Sequence, residues 1–306
     1  MELSGDDKAM VSTDDEVKEE PLLEVRDLSV TFEAQRGGFI KRVEYVHAVK
    51  RVSFQVRKGT TIGLVGESGS GKSTIGKAIL RLAPIGEGTI HYDGQELTGL
   101  ADKEFMPFRK RIQTIFQDPY ASMNPRLTIA SIVAEPLIVH APAMNRKQRE
   151  ECVADLLEKV GLPADSMNRY PHQFSGGQRQ RICIARALSS SPEFIICDEC
   201  VSALDVSVQA QVLNLLKELQ ENRGLSYIFI SHDLSVVKFM SDVMAVMNAG
   251  KIVEMGPAEE IYRQAEQEYT RRLIDSIPND SLDNIHRRQE ERIAAQVHRA
   301  RQTLEL

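Results

Sequence analysis

Gly66-Glu67-Ser68-Gly69-Ser70-Gly71-Lys72-Ser73-Thr74 fits the spacing G-x-x-x-x-G-K-[ST]. It follows an apolar run, Thr60–Val65 (TTIGLV), and precedes a helix-compatible segment that begins near Lys72. The chemistry this spacing serves is phosphate binding. Glycines let the backbone curl so that successive N–H groups face one anion, and a helix N-terminus adds positive potential. Lys72 is placed to reach the β- and γ-phosphates of a nucleotide, and Ser73 offers a hydroxyl to Mg²⁺. A second group is Asp198-Glu199, which closes the apolar run Phe194–Cys197 (FIIC). If that strand lies beside the phosphate loop, Asp198 suits Mg²⁺ through water and Glu199 suits a general base on an attacking water. A third is Ser175-Gly176-Gly177-Gln178, where Ser175 and Gln178 have capping-box spacing at a helix start. Its two glycines allow close approach of another molecule to an anion-attracting helix end.

Cys197 and Cys200 form a C-x-x-C, which elsewhere marks a redox pair or half a zinc site. Cys152 and Cys183 supply no second close pair, so a zinc site lacks ligands. The acids between the two cysteines explain the segment better, and reduced thiols are expected.

The elements that must position these residues follow from periodicity. Leu22–Phe32 and Val43–Val56 alternate apolar and polar residues as half-buried strands do. Glu33–Arg42, rich in glycine and bases, is expected to be the loop between them. Thr89–Tyr92, Asp93-Gly94 and Gln95–Leu97 read as a hairpin. Prolines 119, 125, 136 and 142 open a middle region, about 118–187, that carries helical spacing over Arg149–Gly161 and again from Ser175. Phe194–Cys197 and Tyr227–Ile230 (YIFI) are fully apolar, as buried parallel strands are. Val206–Arg223 reads as a helix ending on Gly224, and Val243–Met255 as a closing hairpin.

Composition bounds the partners. The chain has 306 residues, 38 Lys+Arg, 44 Asp+Glu and a formal charge of −6. Residues 1–20 carry eight acids and two bases, which is the whole excess. That stretch is expected to be a disordered acidic tail, and the neutral remainder lacks the basic field of a nucleic-acid binder. Leu127–Met144, the most apolar stretch, is broken by Glu135, Pro136, His140 and Pro142 and does not read as a membrane span. The N-terminus shows no apolar signal-peptide core.

Taken together, Gly66–Thr74, Gln117, Phe174–Gln178, Phe194–Glu199, Ser202–Asp205 and His232 resemble, in order and spacing, the nucleotide-binding subunit of an ATP-binding cassette (ABC) transporter. The resemblance runs from about Leu22 to Pro278, with Phe174 where the family usually has Leu. It implies an α/β fold: a P-loop ATPase core with a mixed sheet, an N-terminal antiparallel β subdomain and an inserted α-helical subdomain. A domain at 21–278 would be followed by a polar helical tail at 279–306. It also implies roles. Gln117 would be the glutamine that senses Mg²⁺ and attacking water, and His232 the switch histidine at the γ-phosphate. Asp205 would lie in the loop coupling two subunits, and Phe32 would stack on adenine. Glu199, His232 and Gln117 would be catalytic, and Ser73, Gln117 and Asp198 would hold Mg²⁺. ATP would lie between the Gly66–Thr74 loop of one subunit and Ser175–Gln178 of another in a head-to-tail dimer.

A narrower likeness rests on Phe116–Arg126 (FQDPYASMNPR), Tyr170–Phe174 (YPHQF), Val201–Gln211, Tyr269-Thr270-Arg271 and Ser276–Pro278. These are similar to the ATPase subunits of importers for peptides, glutathione, nickel or opines. The likeness implies two transmembrane permease subunits, a second ATPase subunit (a paralogue or a copy), an extracytoplasmic solute-binding protein, and a peripheral place on the cytoplasmic face of the plasma membrane. Pro119–Pro125 would lie near the surface that receives the permease. Cys200 stands where that subgroup has Pro, and the C-terminal cysteines of many members are missing, so no iron–sulfur cluster is expected. A soluble ABC ATPase acting on nucleic acid or ribosomes would instead show tandem cassettes, a coiled-coil insertion or a basic groove, and a P-loop kinase would leave Ser175–Gln178 unexplained.

Overall fold

The computed structural model describes residues 20–36 and 42–276. The expected acidic and C-terminal tails therefore lie, but for Glu20, outside the described residues. Two sheets divide the strands. β1 (Leu23–Arg36), β2 (Arg42–Val56), β4 (Glu87–Tyr92) and β5 (Gln95–Glu96) form an antiparallel sheet in the order β2-β1-β4-β5. β3 (Thr61–Val65), β6 (Ile112–Ile115), β7 (Phe194–Asp198), β8 (Ser226–Ile230), β9 (Val243–Asn248) and β10 (Lys251–Pro257) form the other, in the order β10-β9-β3-β8-β7-β6. From β9 to β6 neighbours run parallel, and only β10 runs antiparallel.

Every residue of β3 and β8 is buried, which is why those runs are continuously apolar rather than alternating. Period-two geometry then sends neighbours to opposite faces. Ile195, Cys197, Tyr227 and Phe229 enter one core, with α3 (Ile129–His140), α4 (Arg146–Lys159), α5 (Gly176–Ser189) and α6 (Val206–Arg223). Phe194, Ile196, Ile228 and Ile230 enter the other, with α1 (Lys72–Ile79), α2 (Asp102–Arg111) and the antiparallel sheet. The mixed sheet is thus the wall between two cores.

Two expectations need correction. The Glu33–Arg42 segment is not loop at its flanks, because Glu33 to Arg36 pair with Tyr45 to Arg42 and continue the β1–β2 hairpin. Residues 37–41 lie outside the described residues. The helix expected from Arg149 starts at Arg146, because Asn145 accepts the Gln148 N–H while the Gln148 side chain accepts the Asn145 N–H. α6 ends as expected, with Gly224 at φ 64°, a left-handed conformation that favours glycine.

Candidate active site

β3, β8, β7 and β6 are parallel and adjacent, so their carboxyl ends share one edge of the sheet. Leu64 pairs with Ile230, Asp198 with Ile230, and Ile115 with Cys197, so the ends are level. Such edges are where open α/β sheets hold ligands. The Gly66–Gly71 loop leaves β3 here, His232 follows β8 by two residues, Asp198-Glu199 closes β7, and Gln117 follows β6 by two residues.

The loop is shaped by what touches it. Gly71 has φ 104°, and a Cβ there would lie 2.3 Å from the Ala48 carbonyl oxygen of β2. Glycine is therefore required both by conformation and by contact. α1 starts at the next residue, so its free N–H groups open onto the loop. Lys72 is buried, 4% exposed, with Nζ donating to the Gly66 carbonyl at 2.7 Å, the Glu67 carbonyl at 2.8 Å and Ser70 Oγ at 3.4 Å. Burial pulls its pKa below the ordinary lysine value, while the Glu199 and Asp198 carboxylates oppose that pull.

Ser73 Oγ donates to Asp198 Oδ1 at 2.6 Å, which ties α1 to the end of β7. The two oxygens are hard donors of the kind that fit Mg²⁺, an ion held by one or two carboxylates plus substrate phosphates. Glu199 sits one residue on, at φ 49°. A non-glycine in the left-handed region costs of order 1 kcal/mol or more, and here its N–H is fixed to the Ile230 carbonyl at 3.0 Å. Gln117 Nε2 donates to Glu199 Oε2 at 2.8 Å, and His232 Nδ1 lies 4.0 Å from the same oxygen. Side chains that follow the two flanking strands, β6 and β8, therefore converge on the carboxylate that follows β7. Cys197 and Cys200, on either side of the acids, are buried. A hydrogen bond between them and burial push the Cys197 thiol well up.

Ser175–Gln178 behaves differently. Ser175 Oγ accepts the Gln178 N–H at 3.3 Å, and Gln178 Oε1 accepts the Ser175 N–H at 3.0 Å. Among the described residues, no hydrogen bond or ion pair joins this corner to the phosphate loop. Ser175, Gly176 and Gln178 are exposed, while Gly177 packs so tightly that a Cβ would lie 2.2 Å from Val208 Cγ1 of α6. Asp205 is exposed at the start of α6.

Phe32 is 37% exposed and pairs across the hairpin with Val46, 48% exposed. Val46 stands two residues before Ala48, whose carbonyl touches Gly71, so the pair sits about 6–7 Å along β2 from the loop. Val46 carries no signal in the sequence beyond strand alternation, since cross-strand partners come only from register. Tyr269 was also not singled out for the site, yet its hydroxyl accepts the Glu67 N–H at 3.2 Å.

The description "ABC transporter" matches residues 49–202. The oligopeptide transport ATP-binding protein OppF of Bacillus subtilis (strain 168) is 50% identical over 280 residues, covering 91% of this chain and 90% of that protein. The glutathione import ATP-binding protein GsiA of Salmonella paratyphi A is 46% identical over 94% of this chain, which spans 49% of that longer protein. Among solved structures, the ATP-binding cassette MJ0796, dimeric and bound to ADP and Pi after hydrolysis, superposes with a TM-score of 0.67 at 28% identity, covering 77% of this chain and 98% of that one. The cbiO1 subunit of Clostridium perfringens, at 23% identity and a TM-score of 0.68 over 89% of this chain and all of that one, shares the fold. The chain belongs to the ABC transporter family, as an ATP-binding cassette that hydrolyses ATP.

Proposed function

We propose that this ATPase energises an importer for peptides or related small solutes. It would work as one half of an ATPase dimer docked on two permease subunits, at the cytoplasmic face of a membrane, with a solute-binding protein outside. The observation that carries the substrate class is the 50% identity to OppF over nearly the full length of both chains. Among the described residues no helix is long and apolar enough to cross a membrane, which agrees with a peripheral place.

In this reading the backbone N–H groups of Gly69 to Thr74 and the α1 N-terminus take the phosphates. Lys72 leaves the Gly66 and Glu67 carbonyls to reach the β- and γ-phosphates. That exchange is favourable because a buried ammonium gains a full anionic partner in place of neutral acceptors. Phe32 and Val46 form the edge against which adenine rests. Ser73, Asp198 and Gln117 would hold Mg²⁺, which when bound neutralises charge on the β- and γ-phosphates. Glu199 accepts the proton of the attacking water once Gln117 releases its hydrogen bond to Oε2. His232 orients the γ-phosphate beside that carboxylate. Ser175–Gln178 of the second ATPase subunit covers the γ-phosphate, so hydrolysis loosens the dimer.

Glu199→Gln keeps the hydrogen bond with Gln117 within reach but removes the base. In the assembled transporter, kcat is expected to fall about 10²–10⁴-fold, with ATP binding intact by calorimetry. Unimpaired turnover would overturn the role of Glu199. The substrate class is tested by ATPase stimulation with peptide-loaded binding protein and permease, and no stimulation by peptides would refute it.

A further inference from the structure

The phosphate loop is clamped by residues that lie far from it along the chain. Gly66 meets the Met247 carbonyl of β9 so closely that a Cβ would lie 2.2 Å from it. Ser70 O accepts the Gly250 N–H at 3.0 Å in the turn between β9 and β10. The third contact is the Glu67 N–H donated to Tyr269 Oη at 3.2 Å, across 202 residues. Tyr269 belongs to α9 (Glu268–Asp275), which follows α8 (Ala258–Gln264).

Tyr269 is not a loosely hung ring. Together with Tyr262, Leu273 and Ile274 it packs against the core that holds Val65, Met244 and Val246. The start of α9 is fixed by Glu254 of β10, whose carboxylate accepts the Glu266 N–H at 2.6 Å and the Gln267 N–H at 3.2 Å. Arg271 donates back to the Ala265 and Glu266 carbonyls at 2.8 and 3.0 Å. β10 therefore aims α9, and α9 aims the phenol at the loop.

This contact has a specific consequence for nucleotide binding. Two other bonds that shape the loop's start come from Lys72 Nζ, on the carbonyls of Gly66 and Glu67. Lys72 must give these up to hold a phosphate. The Tyr269 bond uses the opposite, N–H side of the same peptide and involves no group that the phosphates claim. We propose that Tyr269 is a positioning residue for ATP. Its hydroxyl holds the Glu67 peptide in the phosphate-receiving shape while Lys72 transfers from carbonyls to phosphate. The proposal rests on Gly66–Thr74 being the phosphate site.

Tyr269→Phe removes the hydroxyl and keeps the ring in its packing. Calorimetric titration of the full chain with ATP and Mg²⁺ is expected to show Kd raised about three- to tenfold, the range of one such hydrogen bond. In the assembled transporter KM should rise by the same factor with kcat within twofold, and the melting temperature should not move. Glu67→Pro deletes the same bond from the donor side. In that background Tyr269→Phe should add nothing, which a role confined to packing would not produce. Kd within twofold of the parent in Tyr269→Phe, or an undiminished effect of Tyr269→Phe in the Glu67→Pro background, overturns the proposal. Should Glu67→Pro fail to fold, the single variant decides. Loss of ATP binding in Lys72→Ala is the separate test of the phosphate site, so failure of that reading is distinguishable.

Discussion

Two glycine-bearing corners of this molecule each open the N-terminus of a helix, and they are built in opposite ways. The Gly66–Thr74 corner is held from several elements: Ala48 of β2 against Gly71, Asp198 of β7 on Ser73, Gly250 on Ser70 and Tyr269 on Glu67. Its lysine is buried and turned onto the loop's own carbonyls. The Ser175–Gln178 corner is held by its own capping box on one side and by Val208 beneath Gly177 on the other, and its outer residues are exposed. The first corner is tied to several distant elements of its own chain. The second is an exposed, self-capped surface, which the proposed function makes one half of an interface.

The comparison breaks first at Lys72. If the phosphate corner is self-sufficient, Lys72→Ala should cost a single chain its ATP affinity by about 100-fold, the scale of a charge-assisted contact. Calorimetry on the isolated chain checks this, and unchanged affinity would sink the assignment. The next test concerns what lies beneath the second corner. Gly177→Ala drives a Cβ into Val208, a β-branched side chain that cannot swing away. Stability should fall by about 1–3 kcal/mol, and Val208→Ala should restore most of it, both read by urea denaturation. The smallest effect sharpens the contrast most. Ser175→Ala removes the cap of α5 at a cost of about 1 kcal/mol. ATP affinity of the single chain should stay unchanged, while turnover in the assembled transporter drops. A loss of monomer affinity would show that this corner acts within its own chain.

How much of this was legible beforehand depended on whether the signal was local. β3, β7 and β8 announced themselves as apolar runs because strands buried on both faces need no polar alternation. The Ser175–Gln178 capping box and Gly224 were readable because capping is a matter of three or four residues. α2 and α7 (Leu234–Met240) were not. α2 is mostly charged with Pro107 inside, and α7 is a short helix whose start is set by Asp233 accepting the Ser235 and Val236 N–H groups. The Glu33–Arg36 extension reads as loop in the sequence because its charge and the glycines that follow it, Gly37 and Gly38, outweigh a pairing visible only in the register with β2.

By itself the sequence determined the glycine-rich turn between β3 and α1, the acids that close β7, the capped start of α5 and the family. Each is a short-range pattern in which residue type and local backbone geometry imply one another. The tertiary structure decided which of these would meet. Placing β8 between β3 and β7, and β6 beyond β7, brings Gln117 and His232 to one carboxylate and Ser73 to Asp198. Parallel pairing joins strands far apart in the chain, so strand order is set by how whole faces bury and not by any local signal. The same holds for Tyr269, whose place on the loop depends on β10 aiming α9 and is invisible in the sequence around either partner.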